Sequence, residues 1–151
     1  MRYLFLIFSC FIPICVHSQS LWFLPTTHPS YLSAFHLLKK LHIAAGDSGH
    51  IPHLEIEKKG MNPPQTAPVA YYNAFFDEIV IEEEILELCH NFGKDSVAAL
   101  AFVLGHELAH HNLGHASSKF CPFHLEIAED KDSSLLKNEI AADNMGNFYA
   151  R

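Results

Sequence analysis

Gly105-His106-Glu107-Leu108-Ala109-His110 is the stretch on which the reading of this chain turns. Asp95 or Ser96 can cap a helix leading into it, because either side chain accepts a hydrogen bond from a free first-turn N–H. From there Val97, Leu100, Ala101, Leu104 and Leu108 recur at helical spacing and predict a buried stripe. At about 100° per residue, His106 and His110 fall roughly opposite Leu104, on a second side shared with Ala99 and Val103. A helix that is apolar on two sides belongs in the middle of a fold. His106 and His110 lie one turn apart, so one ring nitrogen of each can reach a single ion. Left unpaired, two buried imidazoles would be costly. Glu107 is rotated about the axis from both. It can face a water on that ion without being a ligand itself.

Two imidazoles do not complete a catalytic metal site, which takes three protein ligands and leaves one position open. His115 is near, but the metzincin pattern sets its glycine and histidine seven and ten positions after the first histidine. Here those offsets hold Leu113 and Ala116, with Gly114 and His115 out of register. The better candidate is Glu139, in Asn138-Glu139-Ile140-Ala141-Ala142-Asp143. Ser133 or Ser134 can cap a helix there, and Leu136 and Ile140 can pack it. Asp143, one turn after Glu139, can accept the proton on the far nitrogen of a ligating histidine and fix its tautomer. Gly146, a further turn along, would let the two helices approach closely.

Upstream, Ser30 can cap a helix over residues 30–45, with Phe35, Leu38, Leu41 and His42 on one stripe. Gly46-Asp47-Ser48-Gly49 is a turn. Residues 51–57 alternate Leu54 and Ile56 with charges and predict a strand. Residues 69–76 are rich in aromatics, and Ile79-Val80-Ile81 is β-branched, so both predict strands, with a hairpin around Asp77. Glu82-Glu83-Glu84 suits a helix N-terminus and reads as a solvated face. Ile85, Leu86, Leu88, Cys89 and Phe92 supply that helix's core side, and Gly93 ends it.

Composition sets the bounds. Of 151 residues, 49% are hydrophobic and 18% charged, enough to bury a core rather than remain disordered. The net charge of -7 argues against nucleic acid as a partner, since phosphate binding needs a cationic face. No Cys-x-x-Cys pair is present, which excludes a cysteine-rich zinc ribbon. Arg2, then an apolar run from Tyr3 to Val16, then Val16-His17-Ser18, describe a secretory signal over residues 1–18. The run is short for a membrane span, which needs about 20 residues. Residues 19–151 are then one exported domain, periplasmic or secreted. The alternative is a chain anchored to the membrane by the same segment. In an oxidising compartment Cys89 and Cys121 could form one disulfide or stay as two buried thiols.

With these residues assembled, the chain resembles the HtpX/Oma-type and CaaX-prenyl-protease-type zinc endopeptidases, which are gluzincins. Gly105 to His110 with His115 is similar to their helix motif, and Glu139, Ala142, Asp143 and Gly146 match their later Glu-x-x-Ala-Asp-x-x-Gly signature. Asn73-Ala74 followed by Ile79-Val80-Ile81 is similar to the stretch that forms their substrate-side edge strand. The resemblance implies an α+β, zincin-like metallopeptidase domain with a small mixed or antiparallel sheet and a central HExxH helix. It implies one Zn2+ on His106, His110 and Glu139, with Glu107 as general base and Asp143 supporting the ligands. A protein or peptide substrate could pair with the edge near Asn73 to Phe76. Only eight residues follow Asp143, so the expected domain is truncated at its C-terminus relative to the family. The expected activity is peptide-bond hydrolysis by a zinc-activated water, in the setting of exported-protein quality control. The rival expectation is a non-catalytic zinc-binding or protein-binding module derived from a peptidase. His111, His115, His124 and Tyr149 are candidate oxyanion donors among which the sequence does not choose.

Overall fold

The structure, a computed structural model, describes residues 21–61, 67–115, 118–120 and 133–150. The predicted signal segment, Cys121 and His124 lie outside the described residues.

Helix α1 spans Pro29–Ala44. His28, not Ser30, caps it: its Nδ1 accepts from the Ser30 N–H at 3.3 Å, and Pro29 fills the first-turn position where a missing N–H costs nothing. Strand β1 is His53–Glu57, β2 is Ala70–Asn73 and β3 is Glu78–Glu82. β2 and β3 form the expected antiparallel hairpin, while β1 runs parallel to β3. Strand β4, Ser118–Phe120, adds to the other side of β2, giving a mixed sheet of order β1-β3-β2-β4. This corrects the expected edge near Asn73 to Phe76. Ala70 to Tyr72 are paired on both sides, and the chain past Asn73 turns back toward Glu78. The pairing of β4 could not be read from sequence, because three residues carry no periodicity.

Leu54, Ile56, Ala70, Tyr72, Ile79 and Ile81 form the buried side of the sheet. Glu55, Glu57, Tyr71 and Glu78 alternate with them on the other side, as the two-residue period requires. Val80 lies on that acidic side yet is buried, because its register places it between Glu55 and Tyr71.

Helix α2, Glu83–His90, follows β3 directly. Its acids are not merely solvated. Glu82 Oε2 accepts from Val69 N at 3.0 Å, Glu83 Oε2 from Lys59 N at 3.0 Å, and Glu84 Oε1 from Gly60 N at 3.2 Å. Glu87 pairs with Lys59 Nζ. Together they tie down the loop after β1. Ile85 and Cys89 are buried, and Cys89 has no disulfide partner among the described residues. Phe92, expected in the core, is 65% exposed, because α2 has ended before it. Gly93 adopts φ 59° in a short 3-10 turn, Gly93–Asp95, that reorients the chain.

Helix α3, Ser96–Asn112, is the central element. It touches α1, α2, all of β2, β3 and β4, and the last helix, α4, Ser133–Tyr149. From Val103 to His110 every side chain is buried, as a helix apolar on two sides demands. Asp95 stands at the cap position without a side-chain capping bond. Val97, in the first turn of α3, departs from the expected stripe at 65% exposed. On α4, Leu136 and Ile140 are also exposed rather than packed, and the buried positions are Ala142, Gly146 and Tyr149. Gly146 meets the α3 backbone and Tyr149 meets Asn112 of α3, whereas Leu136 and Ile140 stay exposed.

Candidate active site

The α3–α4 contact is made at two glycines. A Cβ on Gly146 would lie 2.7 Å from His106 N and 2.9 Å from His106 Cα, so no side chain fits there. A Cβ on Gly105 would lie 3.0 Å from Gly146 O. Further along, Asn112 Nδ2 donates to Tyr149 Oη at 3.2 Å. Backbones this close bring the acids of α4 over the histidines of α3.

His106 Nε2 and His110 Nε2 are 3.1 Å apart, and Glu139 Oε2 lies 3.3 Å from the first and 3.7 Å from the second. The three residues offer ligand atoms all within 4.8 Å of one another. His106 and His110 are buried, and Glu139 comes from the partly open side. His106 Nδ1 lies 2.9 Å from Asp143 Oδ1, a carboxylate that accepts its proton and so favours the tautomer in which Nε2 can serve a metal ion. His110 Nδ1 meets His115 Nδ1 at 3.0 Å. Sequence reasoning placed His106, His110, Glu139 and Asp143 on two helices, and the structure brings all four together.

Charge binds this cluster. Burial pushes Glu139 up, but hydrogen bonds from His106 and His110 and their charges win and hold it down at about 2. Burial pushes His106 down, yet its bond to Glu139 and the fields of Glu107, Glu139 and Asp143 leave it raised. Three lone-pair atoms converging on one point in a buried setting are what a cation satisfies. Two imidazoles and a carboxylate suit zinc, with a further position left open. The residues present therefore fit that ion.

Glu107 is fully buried, and neither carboxylate oxygen has a hydrogen-bond partner among the described residues. Burial pushes its pKa up to about 8, with His106 pulling the other way and Glu139 adding to the rise. The Tyr72 main chain approaches and lowers it somewhat, outside good hydrogen-bond geometry.

The oxyanion candidates separate. His111 Nδ1 donates to Asp77 Oδ1 at 3.0 Å, an oxygen that also takes the Tyr72 hydroxyl at 3.0 Å. His50 Nε2 reaches the other Asp77 oxygen at 3.3 Å. Burial and the bond to Asp77 push the Tyr72 phenol up to about 12. His111 thus pins the β2–β3 hairpin to α3. His115 stands behind His110, its pKa lowered by burial and by His110. Tyr149 is engaged with Asn112. The sequence reading missed Asp77 and Tyr72. Asp77 was legible only as a turn residue, and its φ of 53° is the sign that something holds it.

Buried paired histidines on a central helix, a facing carboxylate and an unpartnered glutamate between them form the kind of site a metallopeptidase uses. The profile of peptidase family M48 matches residues 36–128, more than half of the chain, and the chain belongs to this metallopeptidase family. The matched span includes His106, Glu107 and His110 and stops before Glu139. Comparison with curated proteins and with solved structures gave no match.

Proposed function

We propose that this protein is a zinc-dependent endopeptidase that hydrolyses peptide bonds in protein or peptide substrates. The observation that carries the reading is the convergence of His106, His110 and Glu139 on one point beside the buried, unpartnered Glu107. His106, His110 and Glu139 hold one zinc ion, which when bound supplies a Lewis acid that lowers the pKa of water and polarises the scissile carbonyl. Glu107 is the general base: it takes a proton from the attacking water as the water oxygen adds to the scissile carbonyl carbon, and returns it to the amine nitrogen as the C–N bond breaks. Its apolar surroundings raise its affinity for that proton. Asp143 orients His106. An extended substrate adds along the outer edge of β4, which has no further strand beside it among the described residues. The pattern of residues 1–18 supports export of the chain from Gln19 onward.

Zinc content and casein cleavage test this together. The wild type is expected to bind one zinc per chain and cleave casein. Glu107→Gln should keep the zinc and lose about 10²–10⁴-fold in turnover, the usual worth of general-base catalysis. Glu139→Gln should weaken zinc binding. Casein cleavage unchanged in Glu107→Gln would sink the mechanism. Zinc without cleavage in the wild type would instead indicate a non-catalytic module.

A further inference from the structure

We infer that His115 is a positioning residue for His110, and that the turn ending α3 exists in the form that places it there. The inference rests on His110 being a zinc ligand and goes beyond that reading.

The argument starts from how α3 stops. Leu113 is the last cap residue, and Gly114 takes φ 66°. The Gly114 N–H donates to His111 O at 3.1 Å, and the His115 N–H donates to His110 O at 3.0 Å. These two nested bonds, around a left-handed glycine, make a Schellman cap. That cap fixes which side chains meet: the residue after the glycine lies against the residue five before it. An apolar contact usually occupies this place. Here it is His115 on His110, with ring centroids 5.0 Å apart and the rings inclined at 67°.

The nitrogen assignment then follows. His110 Nε2 points at His106 Nε2 and Glu139, so Nδ1 is its far nitrogen. A neutral imidazole carries one proton. For Nε2 to offer its lone pair to an ion, that proton must sit on Nδ1. His110 is fully buried, so an Nδ1–H without an acceptor would cost the fold free energy. The acceptor in place is His115 Nδ1 at 3.0 Å. His115 must then carry its own proton on Nε2. The second histidine is thereby held as Asp143 holds the first. A Cβ on Gly114 would meet nothing within 4 Å, so glycine is required there for its backbone angle and not for space.

The experiment uses the full chain and zinc alone, measured by competition with a chromophoric chelator. His115→Phe keeps a ring against His110 but offers no acceptor. It should bind zinc about 10–100-fold more weakly, the usual cost of losing a ligand's supporting partner. Without metal His110 can carry its proton on Nε2, which faces Glu139 Oε2 at 3.7 Å, so the metal-free melting temperature of His115→Phe should stay close to wild type. His115→Gln, which restores an acceptor, should recover part of the loss. Long-range nitrogen–proton NMR of the zinc-loaded wild type should show His110 protonated at Nδ1 and His115 at Nε2. This second reading decides the matter even if a variant fails to fold. Wild-type zinc affinity in His115→Phe, equal losses in His115→Phe and His115→Gln, or the opposite tautomers would overturn the inference alone. A wild type that takes up no zinc would overturn the metal reading with it.

Discussion

Glu107 is the side chain the fold accommodates least well. It is buried to the last atom, with both oxygens lacking partners among the described residues. Such a group costs about 1–3 kcal/mol, and strain of this kind gathers where function requires it. Glu107→Met, apolar and similarly unbranched, should therefore melt several degrees higher by calorimetry while cleaving nothing. An unchanged or lower melting temperature would mean that the carboxyl is satisfied in some other way. Asp143→Asn should weaken zinc about 10–100-fold in a chelator competition, since a neutral amide holds the His106 N–H less firmly. The histidine excess also becomes intelligible at this scale. His28 caps α1, His50 and His111 hold Asp77, and His115 supports His110. The roles of His50 and His111 could not be read in advance, because Asp77 is brought near them by folding, whereas His28 and His115 act on neighbours two and five residues away.

Between elements, the crossing of α3 and α4 decides the site. Its sequence signal was Gly146, and the expected close approach is present at Gly105 and His106. Gly146→Ala would push a methyl group into the His106 backbone, and overpacking of this kind typically costs about 1–3 kcal/mol. The expected outcome is a lower melting temperature together with weaker zinc binding, because α4 carries Glu139 and Asp143. Loss of stability at unchanged zinc affinity would show that the helices separate elsewhere. The same helix shows where reading a pattern fails. Leu136 and Ile140 have the right spacing for a packed stripe but stay exposed. Close backbone contact selects small residues, so among the described residues Ala142 and Gly146 join Tyr149 on the buried side of α4, and hydrophobicity alone does not mark them. Phe92 and Val97 depart from the expected stripes at helix boundaries, Phe92 past the end of α2 and Val97 in the first turn of α3.

At the scale of the whole molecule, zinc would clamp together two helices distant in sequence. An ion that binds only the folded chain stabilises it by about 2.7 kcal/mol at a hundredfold excess over its dissociation constant. Thermal unfolding with zinc should therefore exceed that with chelator by several degrees, and Glu139→Gln should abolish most of the difference. No shift in the wild type would show that the cluster does not join α3 to α4 through a metal. The sequence by itself determined α1 to α4 and β1 to β3, and set the candidate site residues on α3 and α4. Helical spacing put His106 and His110 on one face, alternation marked β1, and an aromatic stretch and a β-branched run marked β2 and β3, because these signals are set locally by the chain. Only the tertiary structure decided which strand is the edge and which acid meets which histidine. Those outcomes depend on contacts between residues far apart in the chain, and a local pattern holds no information about a distant partner.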